Sequence, residues 1–442
     1  MPNPPSVDPH PTGDDLQPVA GGGLLHRRVF MRRGVVLVSA LAAEPAPAPA
    51  AAAGPSADLA ADEAAMPPSA QEPGGAFSEY GLPSVHEQRV IRRIGINYRQ
   101  VSGNGAAWTP IDRLEGSLTP NGLHFVRNHS GVPEIDPAHH RLLVHGRVRQ
   151  PLTFGIDTLL RYPMRSQQLF LECAGNSSAG WFEEPVERPV NLVHGLVSCS
   201  EWTGVPLAVL LDEAGIEPGA NWVVATGADA GAMHISLPLD KALDDCLVAL
   251  YQNGERLRPD NGYPVRLIVP GWKAVLSVKW LRSLQLGDQP AMARNETARY
   301  TELLPSGQAR QFAFVMEAKS VITSPSHGQS LQGPNLYEIR GLAWSGRGRI
   351  RRVEVSADGG ATWAVAALQE PVLPRCLTRF RAAWRWDGRP CVLQSRATDE
   401  TGHVQPTRGA LVAARGRQGF YHYNAIVSWE VDAHGYVSHV YA

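Results

Sequence analysis

No two cysteines of this 442-residue chain form a Cys-x-x-Cys pair; the five stand at Cys173, Cys199, Cys246, Cys376 and Cys391. That excludes a covalent haem attached through Cys-x-x-Cys-His and argues against a zinc ribbon. An excess of charge of one sign is also missing. The formal net charge is −1 and the sequence pI about 7.0, so the basic patch that nucleic acid calls for is not indicated. No Gly-x-x-x-x-Gly-Lys loop is present to cradle a phosphate. The apolar run from Gly34 to Ala43 holds only about ten residues, too few to cross a bilayer. What remains is ordinary for a soluble globular protein, with 43% hydrophobic and 19% charged residues. The length allows two to three domains.

Residues 1–23 are rich in Pro, Gly and Asp and are expected to be disordered. His26-Arg27-Arg28-Val29-Phe30-Met31-Arg32-Arg33, followed by the short apolar run, reads as an export signal over residues 1–45. Its Arg-Arg-x-Phe-Met core resembles the twin-arginine signal, which moves folded proteins and implies a periplasmic location. The alternative is a buried apolar segment with flanking charges. Residues 46–79 form an Ala/Pro-rich linker, and overlapping Ala-x-Ala sites between Ala46 and Ala53 leave the cleavage point open.

The chemistry centres on Leu169-Phe170-Leu171-Glu172-Cys173-Ala174-Gly175-Asn176-Ser177. An apolar run ends in a cysteine and then breaks at Gly and Asn, as a buried strand does when it delivers a side chain to a tight turn. A thiolate placed there suits a transition metal better than Mg or Ca. A buried core cysteine is the plain alternative. Arg127-Asn128-His129 follows the short apolar run Leu123–Val126. An arginine near a reacting centre would attract an anionic substrate and stabilise charge on oxygen, whereas a solvated strand end would explain it equally well. Asn261-Gly262-Tyr263-Pro264-Val265-Arg266 and Ser277-Val278-Lys279-Trp280-Leu281 read as turns and strands carrying scattered cations, able to hold a phosphate.

Other polar groups have blander readings. His139 and His140, in a loop, are expected to be solvated. Trp202–Leu211 reads as a turn into a scaffold helix with Pro206 in its first turn. Leu237–Leu250 reads as a helix that runs into an apolar stretch, with a solvated acidic face at Asp240, Asp244 and Asp245. From Ser320 onward, short alternating segments and the turn Asp358-Gly359-Gly360 signal a hairpin and an immunoglobulin-like sandwich. Cys376 and Cys391 could pair in an oxidising compartment. The aromatic Tyr421–Trp429 segment could dock a partner or the first domain.

Taken in order, these motifs resemble the sulfite oxidase family of molybdenum enzymes over residues 80–435. The resemblance implies an α+β fold: a mixed α/β molybdopterin-binding domain over 80–300, then an immunoglobulin-like dimerisation domain over 310–435. It implies molybdenum and molybdopterin as cofactor. It assigns Cys173 as the metal ligand, Arg127, Cys173 and Tyr300 as catalytic, and Asn128, His129, Cys173, Asn261, Arg266, Ser277 and Lys279 as cofactor-binding. Tyr300 has a second reading as an interfacial aromatic anchor. Sulfite oxidases carry arginines where Ser177 and Ser178 stand here, which weakens the case for sulfite, a small dianion. Segments 299–305, 316–323 and 423–429 resemble the sulfane dehydrogenases within that family. That implies oxidation of a persulfide on a sulfur-carrier protein, electron transfer to a c-type cytochrome, and a homodimer or heterotetramer. Alternatives are a periplasmic sulfite dehydrogenase, a nitrate reductase (less expected, since no haem or flavin module follows), and a cofactor-free exported binding protein.

Overall fold

The computed structural model describes residues 18–27, 41–42, 79–97 and 99–442. The heart of the expected export signal, residues 28–40, and all but the last residue of the expected linker lie outside the described residues.

Part of the stretch expected to be disordered is ordered. Pro18–Ala20 and Leu24–Leu25 are short antiparallel strands, and Leu24 pairs with Trp384 in a distant sheet. Gly22 and Gly23 between them take φ of +68 and +87, and a Cβ on Gly22 would fall 2.2 Å from the Ala357 carbonyl oxygen. Only glycine makes that reversal without strain. Trp384 Nε1 donates to Gly22 O at 2.7 Å, and both leucines are buried. Average composition argued for disorder; two adjacent leucines suffice to seat the segment.

The first domain rests on two five-stranded sheets and a three-stranded one. In one, Leu247–Gln252 pairs with Val197–Pro206, Glu255–Arg256 and Arg266–Ile268, and Arg165–Glu172 lines the far side of Val197–Pro206, all antiparallel. In the other, the order is His234–Pro238, Trp222–Gly227, Leu281–Gly287, Arg141–Gly146, Leu152–Gly155, with the Leu281–Gly287 and Arg141–Gly146 pair parallel. Helix Leu207–Ala214 buries Leu207, Leu210, Leu211 and Ala214, one stripe of a 3.6-residue period. That stripe joins Leu142, Val223, Val248 and Leu284 from both sheets in one apolar core. The three-stranded sheet, Arg93–Ile96, Gly105–Trp108 and Val126–Asn128, presents Arg127 and Asn128.

Three local expectations are corrected. Trp202 lies on the strand Val197–Pro206, and the helix begins only after Pro206. The expected helix over Leu237–Leu250 is a strand end, a six-residue helix Leu239–Asp244, and the buried strand Leu247–Gln252. A strand buried on both faces has no alternation to distinguish it from a helix. His139 is exposed beside Asp136, but His140 is buried, with its ring Nε2 bonded to Leu281 O at 2.9 Å.

The second domain is a two-sheet sandwich, as expected. Lys319–Ser324, Asn335–Trp344 and Thr378–Trp386 form one sheet, completed at its edge by the N-terminal strands. Ile350–Ser356, Cys391–Asp399, Ser428–Val431 and Val437–Val440 form the other, all antiparallel. Asp358-Gly359-Gly360 makes the expected hairpin, pairing Glu354 and Val355 with Val365 and Ala364. Trp344, Trp384, Trp429, Tyr337 and Phe380 fill the space between the sheets. Cys376 and Cys391 do not pair; all five cysteines are free. Cys376 Sγ instead lies 2.7 Å from Gln168 O and beside Cys199.

The two domains share a core. Phe170, Val190, Val197 and Cys199 of the first belong to the same apolar cluster as the sandwich tryptophans. The chain is one packed body across this boundary, not two units on a tether.

Candidate active site

Strand Arg165–Glu172 ends with Leu169, Phe170, Leu171 and Glu172 all buried, and Cys173 is the next residue. The turn that follows is tied down on every side. Cys173 N donates to Leu196 O at 2.9 Å, Asn176 N to Cys173 O at 2.8 Å, and Leu196 N to Asn176 Oδ1 at 3.0 Å. Ser177 takes a left-handed φ of 65 and its N–H reaches Val193 O at 2.9 Å. A half-buried thiol results, fixed in position and facing a cavity. Burial pushes its pKa above the usual range, with Arg127 acting against that. Such a thiol stays protonated at neutral pH unless a cation such as a metal displaces the proton.

Behind the thiol is a buried ionic network from both domains. Glu172, 1% exposed, accepts hydrogen bonds from Lys319 Nζ at 2.9 Å, Trp344 Nε1 at 2.7 Å and Asn176 Nδ2 at 2.9 Å. Lys319 and Trp344 belong to the sandwich, and Lys319 also donates to Ser177 Oγ at 2.6 Å. Burial pushes the Lys319 pKa down and Glu172 holds it up. Ser177 therefore faces the domain boundary, not the cavity.

The cavity in front of the thiol has a volume of about 90 Å³ and is partly open to solvent. Its walls bring together Arg127, Asn128, His129, Cys173, Arg266, Ser277, Lys279 and Tyr300 from separate strands and loops. Asn261 is not on the wall. Its side chain bonds Gln252 Oε1 at 2.9 Å, and its carbonyl receives Arg266 Nη1 at 3.0 Å, so it stands behind Arg266. Ser277 does the same through its carbonyl, which accepts Arg266 Nε at 3.1 Å, while its hydroxyl accepts from Val269 N at 3.0 Å.

Positive charge outweighs negative here: Arg127, Arg266 and Lys279 line the cavity against Asp229 and Asp260, and Asp260 is already paired with Arg92. Arg266 is buried over the Trp202 ring, forms no ion pair among the described residues, and its pKa is pushed down to about 9 by burial. Lys279 Nζ reaches Asp260 O at 3.1 Å and Arg127 O at 3.4 Å, and also bonds Asn128 Oδ1. Burial first, and then Arg266, press its pKa well below the usual lysine range. Buried cations held this way fit an anionic guest, whose charge would raise both pKa values again. Burial and Arg127 lower the His129 pKa, so its ring is neutral at pH 7 although one side is exposed. Burial and Cys173 raise that of Tyr300, whose hydroxyl keeps its proton. Among the described residues, no group of three or more His, Cys, Asp or Glu side chains could hold a metal ion.

An outer pocket continues from the same thiol to the surface. Arg127, Tyr300 and Cys173 are common to both, and Ser178, Arg188, Phe182, Phe420 and Tyr421 line the outer part. Sequence reasoning missed Arg188, whose loop carries no motif. It also missed Lys319, which is distant in sequence from Glu172. The aromatic C-terminal segment, flagged as a docking element, does meet the first domain. His422 N donates to Ala174 O at 2.6 Å, and the Tyr421 ring lies against that of Tyr300 with centroids 4.5 Å apart.

Residues 129–295 match the model of the oxidoreductase molybdopterin binding domain, and residues 310–429 that of the Mo-co oxidoreductase dimerisation domain. The crystal structure of the sulfane dehydrogenase SoxCD from Paracoccus pantotrophus superposes with a TM-score of 0.83 at 44% identity, covering 88% of this chain and 99% of that one. The NADH nitrate reductase of Solanum lycopersicum is 33% identical over 348 residues, which is 68% of this chain and 37% of that protein. Human mitochondrial sulfite oxidase is 33% identical over 291 residues, 62% of this chain and 52% of that protein. The chain thus spans well under two thirds of these curated relatives.

Proposed function

The chain belongs to the sulfite oxidase family of molybdenum-cofactor oxidoreductases, and on that premise we propose that it is a sulfane dehydrogenase. It oxidises the outer sulfur of a cysteine persulfide on a sulfur-carrier protein to the sulfonate level. Three waters supply the three oxygens, six protons are released, and six electrons leave in turn to a c-type cytochrome. The observation that carries this reading is the 44% identity to a sulfane dehydrogenase structure over 99% of that chain. Ser178 in the outer pocket supports it, since it offers no charge to a small dianion.

The residues present fit a molybdenum–molybdopterin group. One thiol, with no protein cluster to complete a metal's shell among the described residues, suits a metal whose other ligands arrive with an organic cofactor. Cys173 would hold the metal, and Arg266 and Lys279 the anionic end of the pterin, with Asn261 and Ser277 orienting Arg266 and Asn128 orienting Lys279. His129, neutral, would hydrogen-bond the cofactor. When bound, the cofactor supplies oxygen-atom transfer coupled to two-electron redox. Arg127 draws the anionic sulfur group towards Cys173 and stabilises charge that builds on oxygen. Tyr300, protonated across the neutral range, donates a hydrogen bond from its hydroxyl.

Arg266→Met tests the anchor. Removing a buried cation that has no acid partner is expected to leave the cofactor-free protein as stable as before or more so. Molybdenum bound per chain is expected to fall about tenfold, as when a close cofactor contact is lost. Metal analysis beside thermal melting reads both. Full molybdenum content would remove Arg266 from the cofactor site.

The substrate is tested by steady-state rates of the molybdenum-loaded protein with a thiosulfate-charged carrier protein and with sulfite, using a c-type cytochrome as acceptor. A higher kcat/KM with the charged carrier is expected. A clear preference for sulfite would instead make it a sulfite dehydrogenase, a reading favoured by Arg127 and Arg188 in the outer pocket. Periplasmic location by the twin-arginine route and assembly as a homodimer or heterotetramer belong to the same proposal, and fractionation of cells expressing the full chain checks the location.

A further inference from the structure

We propose that Tyr421, contributed by the sandwich domain, is a specificity-determining residue of the site: its ring holds Tyr300 and, with Phe420, narrows the passage to Cys173 to a slot between aromatic faces. The inference rests on the oxidoreductase reading above and adds to it the group that selects the shape of the sulfur donor.

The arm from Gly419 to Tyr423 is held at both ends and presented in the middle. At one end a Cβ on Gly419 would fall 2.7 Å from the Trp181 ring. At the other, Tyr423 is buried against Gly180, where a Cβ would lie 2.3 Å from the phenol ring. Neither contact leaves room for the arm to slide. His422 N donates to Ala174 O at 2.6 Å, which fastens the arm one residue beyond the reactive thiol. Between these anchors Phe420 is 56% exposed and forms part of the outer pocket. Gly175 sits between it and the thiol: a Cβ there would lie 3.8 Å from both Cys173 Sγ and Phe420 Cε1.

One ion pair fixes both tyrosines. Arg415 closes helix Arg408–Arg415, pairs with Glu302, and donates to Tyr421 O at 3.1 Å and His422 O at 2.6 Å. Both partners are nearly buried, and Glu302 lies two residues after Tyr300. The two phenol rings, with centroids 4.5 Å apart and planes 30° apart, thus hang from a common support. The Phe420 ring stands edge-on to Tyr421, with centroids 4.8 Å apart. A hydrated oxyanion meets Arg127 and Arg188 in this pocket but gains nothing from the aromatic faces, whereas a slender alkyl arm ending in sulfur keeps apolar contact along its length.

The test compares wild type, Tyr421→Ala, Tyr421→Phe and Phe420→Ala, all molybdenum-loaded full chains, with glutathione persulfide and with sulfite. Tyr421→Ala is expected to raise KM for the persulfide about tenfold and to lower the ratio of kcat/KM for persulfide to that for sulfite by about as much; Tyr421→Phe, which keeps the stacked pair, is expected to restore the wild-type ratio. In cofactor-free full chains, Phe420→Ala and Tyr421→Ala are expected to speed alkylation of Cys173 by a bulky maleimide about tenfold, with small iodoacetamide little affected; peptide mass mapping reads the site. Equal changes for both substrates, or an unmoved maleimide rate, would overturn the proposal. A loaded wild type that oxidises neither compound would overturn the oxidoreductase reading, and this inference with it. An active wild type with an unmoved ratio overturns this inference alone.

Discussion

Cys173→Ser is expected to fold normally and to turn over nothing. Serine is close to cysteine in size, and the side chain faces a cavity, so no packed space is emptied. The turn itself is held by main-chain groups and Asn176, none of which the substitution touches. The melting midpoint should therefore stay within a few degrees of wild type. What disappears is the thiol that lines the cavity. Activity is expected to drop by at least about a thousandfold, beyond the loss that follows removal of a single hydrogen-bond donor from a site. Circular dichroism melting beside steady-state rates measures both. Retained turnover in this variant would end the metal-ligand assignment.

The second large effect is on stability. Lys319→Ala leaves Glu172 buried with its principal counter-charge gone. Breaking one side of a buried ion pair typically costs about 3–5 kcal/mol, which lowers a melting midpoint on the order of 10 °C. Replacing both partners, Lys319→Met with Glu172→Gln, is expected to recover much of the loss, because no unpaired charge remains. A double variant no better than the single one would show that packing of the lysine stem, not charge, dominates. The damage should reach the site as well, since Glu172 directly precedes Cys173 and shares Asn176 with its turn.

These two residues also show what was readable in the chain. Cys173, Arg127 and Arg266 were legible because each sits beside a turn whose pattern is local, an apolar run next to Gly, Asn or Pro, whereas Tyr300 was assigned only through its place in the family's order of motifs. Their convergence on one cavity was not a local property and entered only through family resemblance. Lys319 carried no signal at all; a lone lysine opening an apolar strand looks like a solvated strand end until Glu172, 147 positions away, is placed opposite it. Arg415 and Glu302 were hidden for the same reason. The aromatic stretch after Gly419 was conspicuous in composition, yet only packing reveals that it faces the thiol. His140 and Leu247–Gln252 were misread because burial on all sides erases the alternation on which periodicity depends. The Pro18–Leu25 strands were missed because composition averages away two leucines.

The apolar cluster that runs unbroken from Phe170 into Trp344 and Trp429 makes the boundary between the two halves a division of sequence but not of energy. Heat or denaturant meets one cooperative unit there, and a weakened sandwich is felt at the cysteine as surely as a weakened first half. Inherited or engineered lesions in this protein therefore sort by depth from the shared core, whichever half of the chain carries them.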